Sequence, residues 1–152
     1  MSAPIGTPAP DFALRDQDRN LVSPADLRGR KALIVFFPFA FSGVCEGELC
    51  TIRDNLHSFG SADAEVVAIS CDHLMANKAW SDKEGFGFRI LSDYWPHGAV
   101  AQAYGCFNEK VGCAMRATYV LDEDGIVRAI ISSEELGQPR EFTSYQEALA
   151  AI

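Results

Sequence analysis

The sequence has little that would suit it to a membrane, a nucleic acid or an oxidising compartment. Its longest near-continuous apolar stretch, Ala32 to Phe41, is ten residues, half of the roughly 20 a membrane helix needs. Basic residues number 13 against 21 acidic ones, a formal charge of −8. A surface of that sign repels phosphate backbones, so nucleic-acid binding is not expected. The amino-terminal MSAPIGTPAPDF lacks the basic and apolar regions of a secretory signal. The five cysteines are too few, and odd in number, for a secreted disulfide scaffold. The expected setting is therefore reducing and cytoplasmic. No pair of cysteines has C-x2-C spacing, so neither a zinc ribbon nor a thioredoxin-type dithiol is expected. His57, His73 and His97 form no ligand cluster, and no phosphate-cradling glycine motif occurs. Nucleotide chemistry is unsupported, and no cofactor or metal is expected.

What the chain does contain is a regular alternation of short apolar runs and helical patterns. At 152 residues with 48% hydrophobic residues and no linker-like stretch, it suits one domain, residues 1–152. Pro4, Pro8 and Pro10 mark an extended lead-in, and residues 12–16 weakly suggest a strand. Ser23-Pro24-Ala25-Asp26-Leu27 reads as the cap and first turn of a short helix. Residues 32–37 and 65–70 are continuous apolar runs of the kind that form strands buried on both faces of a parallel sheet. Helical spacing follows at Leu49, Ile52, Leu56 and Phe59, then over 75–84, 99–104 and 145–152, with a short strand at 88–91. Residues 117–121 and 126–131 flank Asp122-Glu123-Asp124-Gly125, a hairpin turn. Cys106 and Cys113 fall in a loop. The order predicts an α/β fold with a mixed sheet.

The chemistry concentrates after the first buried strand, where ligands collect in α/β sheets. With Ser42 as N-cap, Cys45 lies in the first helical turn among amides without intrahelical partners. Those amides and the helix dipole favour a thiolate, the nucleophilic form. Cys45 equally shares a helical face with Leu49, Ile52 and Leu56, so spacing alone leaves it either a reactive thiol or a small core residue. Glu46 and Glu48 disfavour an anion beside them, so a reactive Cys45 needs a cation from elsewhere. Arg116, ahead of the apolar strand ATYVL, is the best distant candidate, and a solvated arginine explains it as well. Cys50 follows Cys45 by five residues. On an intact helix that separates the Cα atoms by about 8.7 Å, beyond the roughly 4.4–6.8 Å of a disulfide.

Pro38-Phe39-Ala40-Phe41-Ser42-Gly43-Val44-Cys45 closely resembles the peroxiredoxin active-site pattern P-x-x-x-T/S-x-x-C. GTPAPDF at 6–12 resembles the family's amino-terminal G-x-x-A-P-D-F, and ISCD, LSDYWPHGAVAQAYG and the late Arg116 extend the likeness over nearly the whole chain. Within the family it looks most like the AhpE-like subgroup, while the Cys45/Cys50 spacing also resembles bacterioferritin-comigratory proteins. The resemblance implies a thioredoxin-like fold with a central mixed sheet flanked by helices and an amino-terminal extension. It implies reduction of hydrogen peroxide and organic hydroperoxides without cofactor. By position it makes Cys45 the peroxidatic cysteine and Arg116 the arginine that stabilises the thiolate and orients peroxide. Pro38 shields the pocket, Ser42 stands where threonine is commoner, the amides of Val44 and Cys45 hold the peroxide, and Glu48 lies near the site. Cys50 is then the resolving cysteine of an intramolecular disulfide. The alternatives are a one-cysteine enzyme resolved by an external thiol, or a peroxide-sensing signalling module. The reductant implied is thioredoxin or a low-molecular-weight thiol system such as mycothiol with glutaredoxin. A homodimer is expected, and Tyr94, Trp95 and Pro96 read equally as interface residues or as a buried loop. No cysteine segment follows at the carboxyl end, so a two-chain resolving mechanism is not expected. Phe36, Phe37, Phe39, Phe41 and Trp95 suggest an apolar collar, although Phe36 and Phe37 read better as core.

Overall fold

The computed structural model describes residues 3–152. Strands β1 (Leu14–Arg15) and β2 (Leu21–Val22) form a short hairpin, followed by a 3₁₀ turn over Pro24–Leu27. The Ser23 N–H donates to the Asp26 carboxylate at 2.8 Å, so the sequence signal for a capped turn is met by a tighter helix than expected. Then come β3 (Lys31–Phe36), α1 (Gly43–Asp54), α2 (Leu56–Ser61), β4 (Ala64–Ser70), α3 (Leu74–Glu84), β5 (Arg89–Ser92) and α4 (Ala99–Tyr104). The chain closes with β6 (Phe107–Asn108), β7 (Cys113–Ala114), β8 (Ala117–Leu121), β9 (Val127–Ser132) and α5 (Phe142–Ala150).

Seven strands make one sheet in the order β2-β1-β5-β4-β3-β8-β9. The β3–β4 and β4–β5 pairs are parallel, and the pairs β3–β8, β8–β9, β1–β5 and β1–β2 are antiparallel. The sheet is mixed, as expected, and its centre is the apolar run 32–37. Alternation along a strand sends successive side chains to opposite faces, and here both faces are dry. Ala32, Ile34 and Phe36 pack with Val67, Ile69, Tyr119, Tyr104 of α4 and Phe12 of the amino-terminal extension. Leu33, Val35 and Phe37 pack on the other side with Leu49 and Ile52 of α1, Phe59 of α2, Trp80 of α3 and Leu149 of α5. Helices α1, α2, α3 and α5 thus cover one face, while α4 and the extension cover the other.

Three local expectations need correction. The helical spacing from Leu49 to Phe59 is interrupted at Asn55, whose φ of −120° and ψ of 17° separate α1 from α2. Cys106 and Cys113 do not lie in an open loop. They flank the small β6–β7 hairpin, which pairs Phe107 with Ala114 and Asn108 with Cys113, and both thiols are buried. The last helix begins at Phe142, a turn before the sequence pattern suggests, because Phe142 packs against Phe59 and Tyr145. Among the described residues no helix is long and apolar enough to cross a membrane.

Candidate active site

The loop between β3 and α1 leaves the sheet at its centre. The Phe37 N–H still donates to Ile69 C=O at 3.0 Å, and buried Pro38 then ends the ladder because it has no N–H to give. The Ala40 N–H donates to Asp72 Oδ2 at 2.7 Å, tying the loop to the end of β4. Phe41 adopts φ 66°, a left-handed conformation uncommon for a residue with a Cβ. Ser42 is the N-cap, with extended backbone and no side-chain cap bond, so its hydroxyl is not committed to the helix. The first helical bond runs from Glu46 N–H to Ser42 C=O at 2.8 Å. The amides of Gly43, Val44 and Cys45 therefore have no acceptor within the helix. Cys45 is 0% exposed, on the α1 face that also carries Leu49 and Ile52.

The missing cation is Arg116, itself only 2% exposed. Its Nη1 donates to Cys45 Sγ at 3.2 Å and to Glu48 Oε1 at 2.6 Å, and its Nε donates to Leu136 C=O at 2.6 Å. A second guanidinium, unforeseen in the sequence, completes the cluster. Arg140 donates from Nε and its own backbone N–H to Glu48 Oε2 at 2.9 and 2.8 Å, and from Nη2 to Glu48 Oε1 at 3.0 Å. Its Nη1 donates to Phe36 C=O at 2.7 Å and Thr118 Oγ1 at 3.0 Å, bolting the carboxyl-terminal segment to the end of β3. Burial works against the Glu48 carboxylate, but the Arg140 bonds and charge, with the Arg116 charge, outweigh it and hold the carboxyl below its usual range.

The charges in this cluster do not cancel. Two guanidiniums and one carboxylate leave one positive charge in a nearly dry place. A buried charge without a partner is costly, and the atom that Arg116 faces on its other side is the Cys45 sulfur. Glu48 is thus not the lone acid that its sequence position suggests, because both arginines donate to it. Glu46 is also diverted, since its carboxylate accepts from the Trp80 indole N–H at 3.3 Å.

The other thiols differ. Cys50 is partly exposed on α1, donating its S–H to Glu84 Oε2 at 3.7 Å. Burial pushes it up, and the acids Glu84 and Glu46 add to this against the opposing charge of Arg53. Burial, joined by the charge of Asp93, pushes Cys71 up to about 12, and burial raises Cys106 to about 12. All five cysteines are unbonded. Helix α1 runs unbroken past both Cys45 and Cys50, which keeps their Cα atoms about 8.7 Å apart.

The structure joins Cys45, Glu48 and Arg116 in one hydrogen-bonded cluster, with Ser42 and Val44 on the turn that carries Cys45 and buried Pro38 just after β3, while Cys50 bonds Glu84 of α3 instead. Phe36 and Phe37 are core, while Phe39 and Phe41 are 39% and 51% exposed beside the site. Trp95 does not join them. It is 80% exposed and lines a separate surface groove with Leu14, Leu21 and His73. A cleft of about 320 Å³ opens between α1 and the carboxyl-terminal segment, beside Val44, Glu48, Arg140 and Phe142. Arg140 carries no readable signal in the sequence, because an arginine after Pro139 in a polar stretch looks solvated. Among the described residues, no group of three His, Cys, Asp or Glu side chains is placed to hold a metal ion.

Comparison with known proteins identifies the family. The model of the AhpC/TSA family matches residues 5–130. Alkyl hydroperoxide reductase E of Mycobacterium tuberculosis is 47% identical over 149 residues, covering 97% of both chains. Enterococcus faecalis AhpC superposes with a TM-score of 0.89 at 26% identity, covering 99% of this chain and 92% of that one. Peroxidoxin BcpB of M. tuberculosis gives 0.83 at 28% identity, covering 96% and 94%. With its mixed sheet flanked by helices and a cysteine at the start of α1, the chain belongs to the AhpC/TSA family and is a peroxiredoxin, a thiol-dependent peroxidase.

Proposed function

We propose that the protein reduces hydrogen peroxide and organic hydroperoxides through Cys45. The observation that carries this reading is the Arg116 Nη1–Cys45 Sγ contact of 3.2 Å inside a cluster one negative charge short of neutral. The thiolate attacks the distal peroxide oxygen. The O–O bond breaks, that oxygen stays on sulfur as a sulfenic acid, and the departing alkoxide takes up the proton the thiol released on ionising. Charge builds on the leaving oxygen, where the free amides of Val44 and Cys45, Arg116 and the Ser42 hydroxyl can donate to it. Such donors, fixed before the reaction begins, are among the strongest sources of rate enhancement. Pro38 keeps water off the sulfur, and Glu48 with Arg140 fixes the Arg116 fork. Exposed Phe39 and Phe41 favour substrates with an apolar tail.

Regeneration follows by attack of the Cys50 sulfur on the sulfenic sulfur, which forms the disulfide, the sulfenic oxygen leaving as water with the proton of the Cys50 thiol. That step requires α1 to unwind between the two residues, and Gly43 and Gly47 each lower the cost by about 1 kcal/mol relative to alanine. A thioredoxin or a low-molecular-weight thiol system then reduces the disulfide. The unbroken helix favours a second reading, in which an external thiol resolves Cys45 directly and Cys50 only packs. We place this single-domain enzyme in the cytoplasm as a homodimer, on the acidic charge, the free thiols and exposed Tyr94 and Trp95. Mass spectrometry after one equivalent of peroxide tests the proposal. A sulfenic acid on Cys45 or a Cys45–Cys50 bond is expected. A Cys45 that stays a thiol while peroxide disappears would defeat it.

A further inference from the structure

Trp80 of α3 is fully buried and touches the reactive loop at three successive places. Its ring lies 5.5 Å from that of Phe37 at the strand end and 6.1 Å from that of Phe41 before the N-cap. Its Nε1–H donates to Glu46 Oε1 at 3.3 Å, on the residue after Cys45. Phe86 closes the far side with a ring separation of 4.8 Å. The segment so held needs holding. Phe41 sits at φ 66°, which an L side chain seldom takes, and the turn it leads into contains Gly43 and Gly47. A buried indole N–H keeps an acceptor when it can, so any movement of Glu46 away from α3 leaves a buried donor unpaired.

We infer that Trp80, acting through Glu46 and Phe41, is a positioning residue that latches the first turn of α1 closed and sets how often Cys45 can leave it to meet Cys50. The inference rests on the reading that Cys45 and Cys50 form the disulfide. Two reactions compete for the sulfenic acid. With the turn open, the Cys50 thiol displaces the sulfenic oxygen as water and the S–S bond forms. With the turn closed, a second peroxide transfers its distal oxygen, giving the sulfinic acid and an alcohol. Weakening the latch must favour the first. The same bond draws the Glu46 carboxylate toward α3.

The test compares Trp80→Phe, which keeps the ring and removes the donor, with Glu46→Ala, which removes the acceptor, and Glu46→Gln, which keeps one. Loss of an ordinary hydrogen bond corresponds to about a fivefold change in an opening equilibrium. In the reduced protein, amide hydrogen exchange over residues 46–49 should quicken about fivefold in Trp80→Phe and Glu46→Ala, but not in Glu46→Gln or in β3. After peroxide addition, disulfide formation should quicken by the same factor and the sulfinic yield should fall, with the first oxidation step unchanged. The double variant should show no further gain. Unaltered exchange in both variants, exchange raised equally in β3, or an unaltered disulfide step would overturn the latch. Absence of any Cys45–Cys50 bond in the unsubstituted protein would instead defeat the assignment of Cys50, and the latch with it. Should Trp80→Phe not fold, the contrast between Glu46→Ala and Glu46→Gln decides the matter on the same exchange and disulfide rates.

Discussion

Replacing Arg116 with alanine isolates the contribution of one guanidinium to the reactive sulfur. Arg116 Nη1 stands 3.2 Å from Cys45 Sγ and serves Glu48 at the same time. Without it, Glu48 and Arg140 remain a closed pair with three hydrogen bonds between them. The fold should therefore survive, but a Cys45 anion would then be buried with no counter-charge. Coulomb's law at an effective dielectric of 20 gives about 5 kcal/mol for such a pair, an upper bound because the anion gives up solvation to form it. Measured hydrogen bonds to charged groups give a net value of about 1.5–3 kcal/mol. At 1.36 kcal/mol per tenfold, peroxide attack at neutral pH should slow by roughly 10- to 150-fold. Arg116→Lys should recover part of this, since it restores the charge without the fork that spans sulfur and carboxylate. Stopped-flow oxidation of the reduced variants, with circular dichroism to verify folding, measures the effect. A folded Arg116→Ala protein that reacts at the unsubstituted rate would refute the charge argument.

Three further outcomes follow from the same cluster and its neighbours. Glu48→Gln removes the carboxylate that bridges two buried guanidiniums and should cost about 3–5 kcal/mol in urea unfolding. Because the Glu48 carboxyl is held below its usual range, its stabilisation is complete above the unfolded value and is lost as pH falls through the lower folded one. The acid limb of the stability profile should accordingly flatten in Glu48→Gln, and an unchanged limb would contradict the network. Cys50→Ser should accumulate a Cys45 sulfenic acid that a dimedone probe traps, whereas an undiminished intramolecular disulfide would reassign the resolving thiol. Cys71 and Cys106, both buried and raised to about 12, should resist alkylation of the native protein at neutral pH under conditions that label Cys50. Equal labelling of all three, read by peptide mass, would count against their burial.

The strands legible in the sequence are those whose burial leaves no choice of pattern. Residues 32–37 and 65–70 are apolar at consecutive positions because both sheet faces are covered, and no amphipathic helix writes that pattern. The start of α1 is legible for a different reason: proline, serine and cysteine occur at fixed offsets and each has a local task. Contacts between distant segments are not. Arg140 looks like a surface residue until α5 and β3 are brought together, when Phe36 C=O and Glu48 become its acceptors. The strands of the β6–β7 hairpin are two residues each, too short for alternation to register. Asn55 breaks the helix because its backbone leaves the helical region, although Leu56 and Phe59 keep the apolar spacing. Trp95 lies away from the collar expected of it, since an aromatic residue in a sequence carries no sign of whether it faces a pocket or solvent. Glu46 and Glu48 look alike in the sequence, and only the fold shows one turned to an indole and the other to two arginines.

Peroxide consumption by Cys45→Ser is the most direct measurement of the central claim. The oxygen atom of serine preserves the shape of the side chain, and the Glu48–Arg140 pair holds the surroundings in place. The folded variant should consume no peroxide above the uncatalysed background in the presence of excess thiol reductant, while Cys71→Ser and Cys106→Ser retain full turnover. Turnover by Cys45→Ser at the unsubstituted rate would contradict the account.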